Sequence, residues 1–136
     1  APERKLWYAL KKNTPGITWT RIENLGVPGC PDLLGYNVSG HFFTVELKVV
    51  KSNKIKLSTH QIAFHTTHPK NTFILAKHHS QGCLKLFPGS MVRDCLSDGF
   101  ACSLVAPAPR CLSVCLLVDA CLYIHCLCTI DHEAHQ

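Results

Sequence analysis

Acidic side chains are scarce in the first two thirds of this chain. Residues 1 to 93 hold four Asp and Glu against 13 Lys and Arg, a net of +9, which suits a polyanionic partner. Nucleic acid is the commonest polyanion in a cell, and a solvated basic surface is the bland counterpart. Cysteine is equally sparse there, with only Cys30 and Cys83, whereas the other seven fall between Cys95 and Cys128. An odd total of nine with no secretory signal argues against a disulfide framework and for free thiols in a reducing compartment. The start, Ala1 to Lys12, lacks the apolar run of a signal peptide, so the protein is expected in the cytoplasm, that of the host if it is viral. Internal repeats are missing, and 136 residues are too few for two ordinary domains.

Pro2 to Asn13 reads as a helix, because Leu6, Trp7 and Leu10 recur at helical spacing and Pro15-Gly16 stops the pattern. Glu3 falls on the same stripe, so an acid is aimed at the core side and needs a cation or a basic side chain there. Ile17 to Ile22 has strand character, and Gly26 to Pro31 is too rich in Gly and Pro for regular structure. A hairpin follows, with arms Asp32 to Tyr36 and His41 to Val50 joined through Asn37-Val38-Ser39-Gly40. Gly40 suits the left-handed position that closes a three-residue loop. Past a basic loop, Lys51 to Lys56, the run Leu57 to Ile62 has the parts of a helix start: Ser58 as cap, Gln61 returning the bond, Leu57 stapling onto Ile62. That helix runs to about His68 and stops at Pro69, after which Thr72 to Lys77 and Cys83 to Phe87 read as strands around a His-Ser-Gln-Gly turn. The fold class is therefore α/β, a central mixed sheet with the first helix and the Ser58 helix on its faces.

Residues two apart on a strand share a face, so Glu46 and Lys48 point one way while Val45, Leu47 and Val49 point into the core, leaving one wet, charged face. If the loop is Val38-Ser39-Gly40, Asn37 pairs with His41, Tyr36 with Phe42, Leu34 with Thr44, and Asp32 with Glu46. Two carboxylates held about 5 Å apart at the backbone repel unless a cation separates them. Mg²⁺, with Mn²⁺ as a substitute, binds through one or two carboxylates plus substrate phosphate oxygens, and the Leu47 carbonyl could add a third oxygen. Lys48 would then offset charge on a phosphoryl transition state, the chemistry of metal-assisted phosphodiester hydrolysis. An exposed Glu46–Lys48 ion pair is the plain alternative.

Taken in order, Gly29-Cys30-Pro31-Asp32, a hairpin, Val45-Glu46-Leu47-Lys48, and Ser58 with Gln61 at a helix start form a set of four features. From Glu3 to Phe87 this set resembles the virus-type replication-repair nuclease (VRR-NUC) group of the PD-(D/E)xK superfamily, whose phage and other stand-alone members are nearest in size. The resemblance implies a restriction-endonuclease-like core. It aligns Glu3 with the acid of the leading helix, Asp32 with that of the PD element, Glu46 and Lys48 with the E-x-K pair, and Gln61 with the glutamine of the following helix. Members of this size are similar to Holliday junction resolvases and often dimeric, so a homodimer acting on branched or flap-like DNA is implied. A DNA-binding module without catalysis, its acidic pair inert, is the rival from another class.

Lys51, Lys54 and Lys56 adjoin the candidate site and are assigned to flanking phosphates, which fixes register without reading sequence. His60, His65, His68, His78 and His79 read as surface residues rather than as a general base. The expected division is a nuclease domain at 1–90 and a cysteine-rich apolar tail of unassigned role at 91–136. Residues 94 to 136 carry one Arg against five acids, and Leu104 to Pro109 reads as a linker. Cys111 to Ile130 is a 20-residue apolar run broken by Asp119 and His125, long enough for a bilayer but equally suited to a buried helix or a partner-binding tail. A zinc site from Cys126, Cys128, His132 and His135 is disfavoured by its irregular spacing.

Overall fold

The computed structural model describes residues 2–23, 26–38, 40–79, 83–99 and 107–109. Helix α1 (Pro2–Asn13) opens on a proline, which fits a first helical position because its missing N–H would have no partner there. It buries Leu6, Trp7 and Leu10, and its end is tied down by Thr14, whose Oγ1 donates to the Leu10 carbonyl at 2.7 Å. Strands β1 (Thr18–Arg21), β2 (Leu33–Tyr36) and β3 (Phe42–Val50) follow, then helix α2 (Thr59–Thr67) and strands β4 (Thr72–His78) and β5 (Cys83–Pro88). A single 3₁₀ turn, Gly89–Met91, leads into helix α3 (Val92–Asp98), and a short β6 (Pro107–Pro109) is the last strand among the described residues.

The six strands lie in chain order. All neighbours are antiparallel except β3 and β4, which run parallel because the loop at 51–58 and α2 carry the chain back across the sheet. The class is the expected α/β, a mixed sheet flanked by helices. The hairpin register also holds: Tyr36 pairs with Phe42 and Leu34 with Thr44. Gly40 closes the loop at φ 82°, with the Asn37 amide donating to the His41 carbonyl at 3.1 Å.

Alternation along β3 and β4 divides the core in two. On one face, α1 packs its three apolar residues over Leu33, Phe43, Val45, Leu47, Phe73, Leu75 and Leu86. Edge-to-face rings run through this layer, from Trp7 to Trp19 (6.1 Å), Trp19 to Phe43 (5.6 Å) and Phe43 to Phe73 (6.1 Å). A Cβ at Gly35 would stand 2.5 Å from the Phe43 ring, so glycine there makes room for the stack. On the other face, Ile74, Ala76 and Phe87 pack with Ile55, Val92 and Cys95.

The second core and the sheet edge correct three expectations. Glu46 and Lys48 were expected on a wet face, yet the half of that face over β3 to β5 is covered, and Glu46 is 2% exposed. Residues 92–98, assigned to the tail, form α3, whose Val92 and Cys95 are buried in the core. The end of the expected Leu104 to Pro109 linker pairs with β5 as an edge strand, where proline's missing donor costs least. The Cys111 to Ile130 run and the cysteines and histidines weighed for zinc lie outside the described residues. Among the described residues, no helix is long and apolar enough to cross a membrane.

Candidate active site

The β2–β3 ladder ends at Leu33 opposite Val45, one step short of Asp32. Gly29-Cys30-Pro31 turns the chain away there, and Pro31 has no N–H to give a ladder. The Asp32 main chain stays with the first strand, its carbonyl accepting from the Ile22 amide at 2.9 Å, while its side chain takes the place of β3's lost partner. Asp32 Oδ2 accepts from the Leu47 amide at 2.7 Å. Since N–H and C=O of one strand residue face the same neighbour, the Leu47 carbonyl also faces this fork.

Glu46 lies beneath the fork with its carboxyl hydrogen-bonded to that of Asp32. Burial pushes the Glu46 carboxyl up to about 9, and the hydrogen bond and charge of Asp32 push the same way, against the opposing pull of Lys48 and Gln61. Without a cation, the two acids therefore hold a proton between them. Lys48, half-buried on the Glu46 side of the strand, is close enough to be felt as a charge.

Gln61 joins α2 to this pair. Its Nε2 donates to Glu46 Oε1 at 2.6 Å, while its Oε1 accepts from the Ser58 amide at 2.9 Å. The capping box closes when Ser58 Oγ accepts from the Gln61 amide at 3.1 Å. Both ends of the Gln61 amide are thus spoken for, which fixes its orientation. Gly29, at φ 78°, lets the loop before Asp32 lie on the first turn of α2, since a Cβ would meet the His60 carbonyl oxygen at 2.3 Å. Loop, strand and helix converge on one carboxylate pair.

Beside the fork opens a cleft of about 150 Å³ lined by Glu3, Arg4, Trp7, Arg21, Glu23, Asp32, Leu33 and Leu47. Glu3 is exposed at its rim rather than aimed into the core, as the stripe on α1 had suggested. Three of the four acids of residues 1–93 line this cleft, and the fourth, Glu46, touches one of them. Arg4, Arg21 and Glu23 were missed in the sequence, although Glu23's rarity as an acid in a basic stretch was a usable signal. Arg21 donates through Nε and Nη2 to Glu23 Oε1, at 2.8 Å for the first, and Glu23 Oε2 is buried with no hydrogen-bond partner.

Other candidates stand apart. Lys51, Lys54 and Lys56 are exposed on a loop pinned by buried Ile55, and none lines the cleft. His60, His68 and His79 are exposed as expected, but His65 and His78 are buried, and no histidine lines the cleft. His65 Nδ1 meets the Gln61 carbonyl at 2.9 Å, and burial holds its pKa below the ordinary value. Burial and the charges of Glu46, Asp32 and Glu23 raise the Cys30 thiol, so it stays protonated at neutral pH and is a poor nucleophile.

The donor set fits a hard divalent cation. Two carboxylates forced into contact, with a main-chain carbonyl facing the same gap, are oxygen ligands that gain by trading their shared proton for a cation. Among the described residues no cluster of three or more His, Cys, Asp or Glu is close enough to hold a metal through side chains alone.

No family model matches the chain, and no curated protein does. Among solved structures, the chain is similar to Hjc, a Holliday junction resolvase from the archaeal hyperthermophile Archaeoglobus fulgidus, at 24% identity over 65% of this chain and 75% of that one, with a TM-score of 0.48.

Proposed function

We propose that this protein is a divalent-metal-dependent endonuclease of the PD-(D/E)xK kind, allied to the virus-type replication-repair nucleases, that hydrolyses phosphodiester bonds in branched DNA. The carrying observation is the contact between Asp32 and Glu46, with Glu46 almost wholly buried and Lys48 alongside. A buried pair of acids weakens a fold, and proteins keep such pairs where the strain serves a site. The plain alternative of an exposed Glu46–Lys48 ion pair does not fit a buried glutamate that bonds to Asp32 and Gln61.

Asp32, Glu46 and the Leu47 carbonyl would hold the cation, Mg²⁺ or Mn²⁺. When bound, it polarises a phosphoryl oxygen and lowers the pKa of water. Lys48 supplies positive charge where the pentavalent phosphate builds negative charge. Gln61 is a positioning residue: its Nε2 donates to Glu46 Oε1, while its Oε1 is held by the Ser58 amide at the helix cap. Glu3 stands at the rim, where it reaches the same cleft. Arg4 and Arg21 bring cations to the cleft wall, and Lys51, Lys54 and Lys56 hold phosphates farther along. Contacts of this kind select DNA by shape, which agrees with a substrate such as a junction or flap. The working unit includes α3, and a homodimer follows from the resemblance.

The test is a gel assay on synthetic four-way junctions, flaps and plain duplex, with Mg²⁺, Mn²⁺ or EDTA. Cutting that needs the ion and disappears in Asp32→Ala, Glu46→Ala and Lys48→Ala is the expected result. Undiminished cutting by any of the three variants overturns the assignment. Binding without cutting under every ion would leave a non-catalytic DNA-binding module in its place.

A further inference from the structure

The first helix carries more positive charge than its own stability explains. Arg4, Lys5, Lys11 and Lys12 are all exposed, and the one acid of α1, Glu3, is turned to the cleft. At about 100° per residue, Lys11, Arg4, Tyr8, Lys12 and Lys5 follow one another around an arc of about 120°, away from the buried Leu6 and Leu10. The arc begins at the cleft, since Trp7 and Arg4 line it and the Lys11 ammonium lies 5.7 Å from the Trp7 ring centroid. Tyr8, 58% exposed, stands in the middle.

Helix electrostatics accounts for only half of this charge. Lys11 and Lys12 lie in the last turn, where cations are favoured, but Arg4 and Lys5 lie in the first, where they are disfavoured. Glu3 offers them no relief, because Leu6 and Trp7 occupy the positions three and four residues on. The remaining acids of the basic stretch, Glu23, Asp32 and Glu46, are gathered at the cleft and its fork. An unscreened row of cations leading away from a cleft suits a polyanion that passes through both.

We propose that this face of α1 is a track for DNA phosphates: one arm of the substrate leaves the cleft along the helix, its backbone held by Lys11, Lys12 and Lys5, with Tyr8 packed against it. From Arg4 to Lys12 the helix rises about 12 Å, which is about three or four base steps at 3.4 Å each. Such contacts set the direction of the arm and read no sequence. The inference rests on the nuclease reading and extends it to a surface outside the cleft.

Its test combines Lys5→Gln, Lys11→Gln and Lys12→Gln in the full chain, with circular dichroism to show that the fold is kept. Binding of fluorescent four-way junctions is followed by anisotropy in Ca²⁺ across a range of salt, using long arms and arms cut short. The triple variant should bind long-armed junctions more weakly and lower the slope of log K against log salt by about two to three, at ~0.9 per lost phosphate contact. It should also lose the preference for long over short arms, and the matching Lys→Arg variant should recover both. An unchanged salt slope, or an equal loss on long and short arms, would overturn the proposal. If the wild-type protein cuts junctions but the triple variant keeps its slope, only the α1 track fails. A wild-type protein that binds no DNA removes the track and the nuclease reading together.

Discussion

Replacing Glu46 with glutamine should make the metal-free protein more stable while abolishing its activity. The Glu46 carboxyl is pushed up to about 9 in the fold against an ordinary value of 4.5, so the folded state holds a proton that the unfolded chain releases. A carboxyl with a raised folded pKa costs nothing below the unfolded value. Its cost grows as pH rises from 4.5 and levels off near 9. At pH 7.5 the interval is about three units, which at 1.36 kcal/mol each sets a penalty of up to about 4 kcal/mol. Glutamine cannot ionise, keeps an oxygen for the Gln61 amide, and presents an N–H to the Asp32 carboxylate, so the contacts survive and the penalty does not. The assay is urea denaturation in EDTA at several pH values. The wild-type protein should lose stability from pH 5 to 9, and Glu46→Gln should be flatter and, at pH 7.5, more stable by a few kcal/mol. His65, whose lowered pKa penalises the fold as pH falls through its ordinary value of 6.5, should leave an acid-side loss in both proteins. Equal stability and equal pH dependence for the two proteins would refute the buried, proton-sharing pair.

Mn²⁺ or Mg²⁺ should raise the melting temperature of the wild-type protein more at pH 8.5 than at pH 5.5, because the cation replaces a shared proton; a thermal shift series in each ion checks this. Ser58→Ala removes one bond of the capping box and should cost about 1 kcal/mol in urea denaturation. Gln61→Ala strips the cap and frees Glu46, so in addition to that loss the cleavage rate should fall about 10- to 100-fold in the gel assay. Gly29→Ala forces a Cβ into the His60 carbonyl at a left-handed φ and should destabilise by about 1–3 kcal/mol, seen as a lower melting temperature together with weaker cutting.

Local chemistry was legible in the sequence wherever a few adjacent residues decide the geometry. Gly40 and a three-residue loop set the hairpin register, which ends at Leu33 opposite Val45 and leaves Asp32 one step beyond the strand, where its side chain meets Glu46. Ser58 and Gln61 announced the start of α2. Alternation correctly assigned Val45 and Leu47 to one face and Glu46 to the other. Which face is covered is a different question, because the lid over Glu46 comes from α2 and the layer beside it from α3. Helix α3 has seven residues and a weak apolar pattern, so only its packing against Phe87 and Ile74 defines it. Arg4, Arg21 and Glu23 reach the cleft from α1, β1 and the loop beyond, a meeting set by sheet order and not by spacing along the chain. His65 reads as a surface histidine in the sequence because, like His60 and His68, it has no fixed place in the hairpin geometry; the helix turns it inward.

Mn²⁺ binding followed by electron paramagnetic resonance tests the central claim most directly. The wild-type protein should take up one ion at millimolar concentration or below, more tightly at higher pH, and both Asp32→Ala and Glu46→Gln should weaken that uptake by tenfold or more. Undiminished Mn²⁺ binding by either variant would contradict a site built on Asp32 and Glu46.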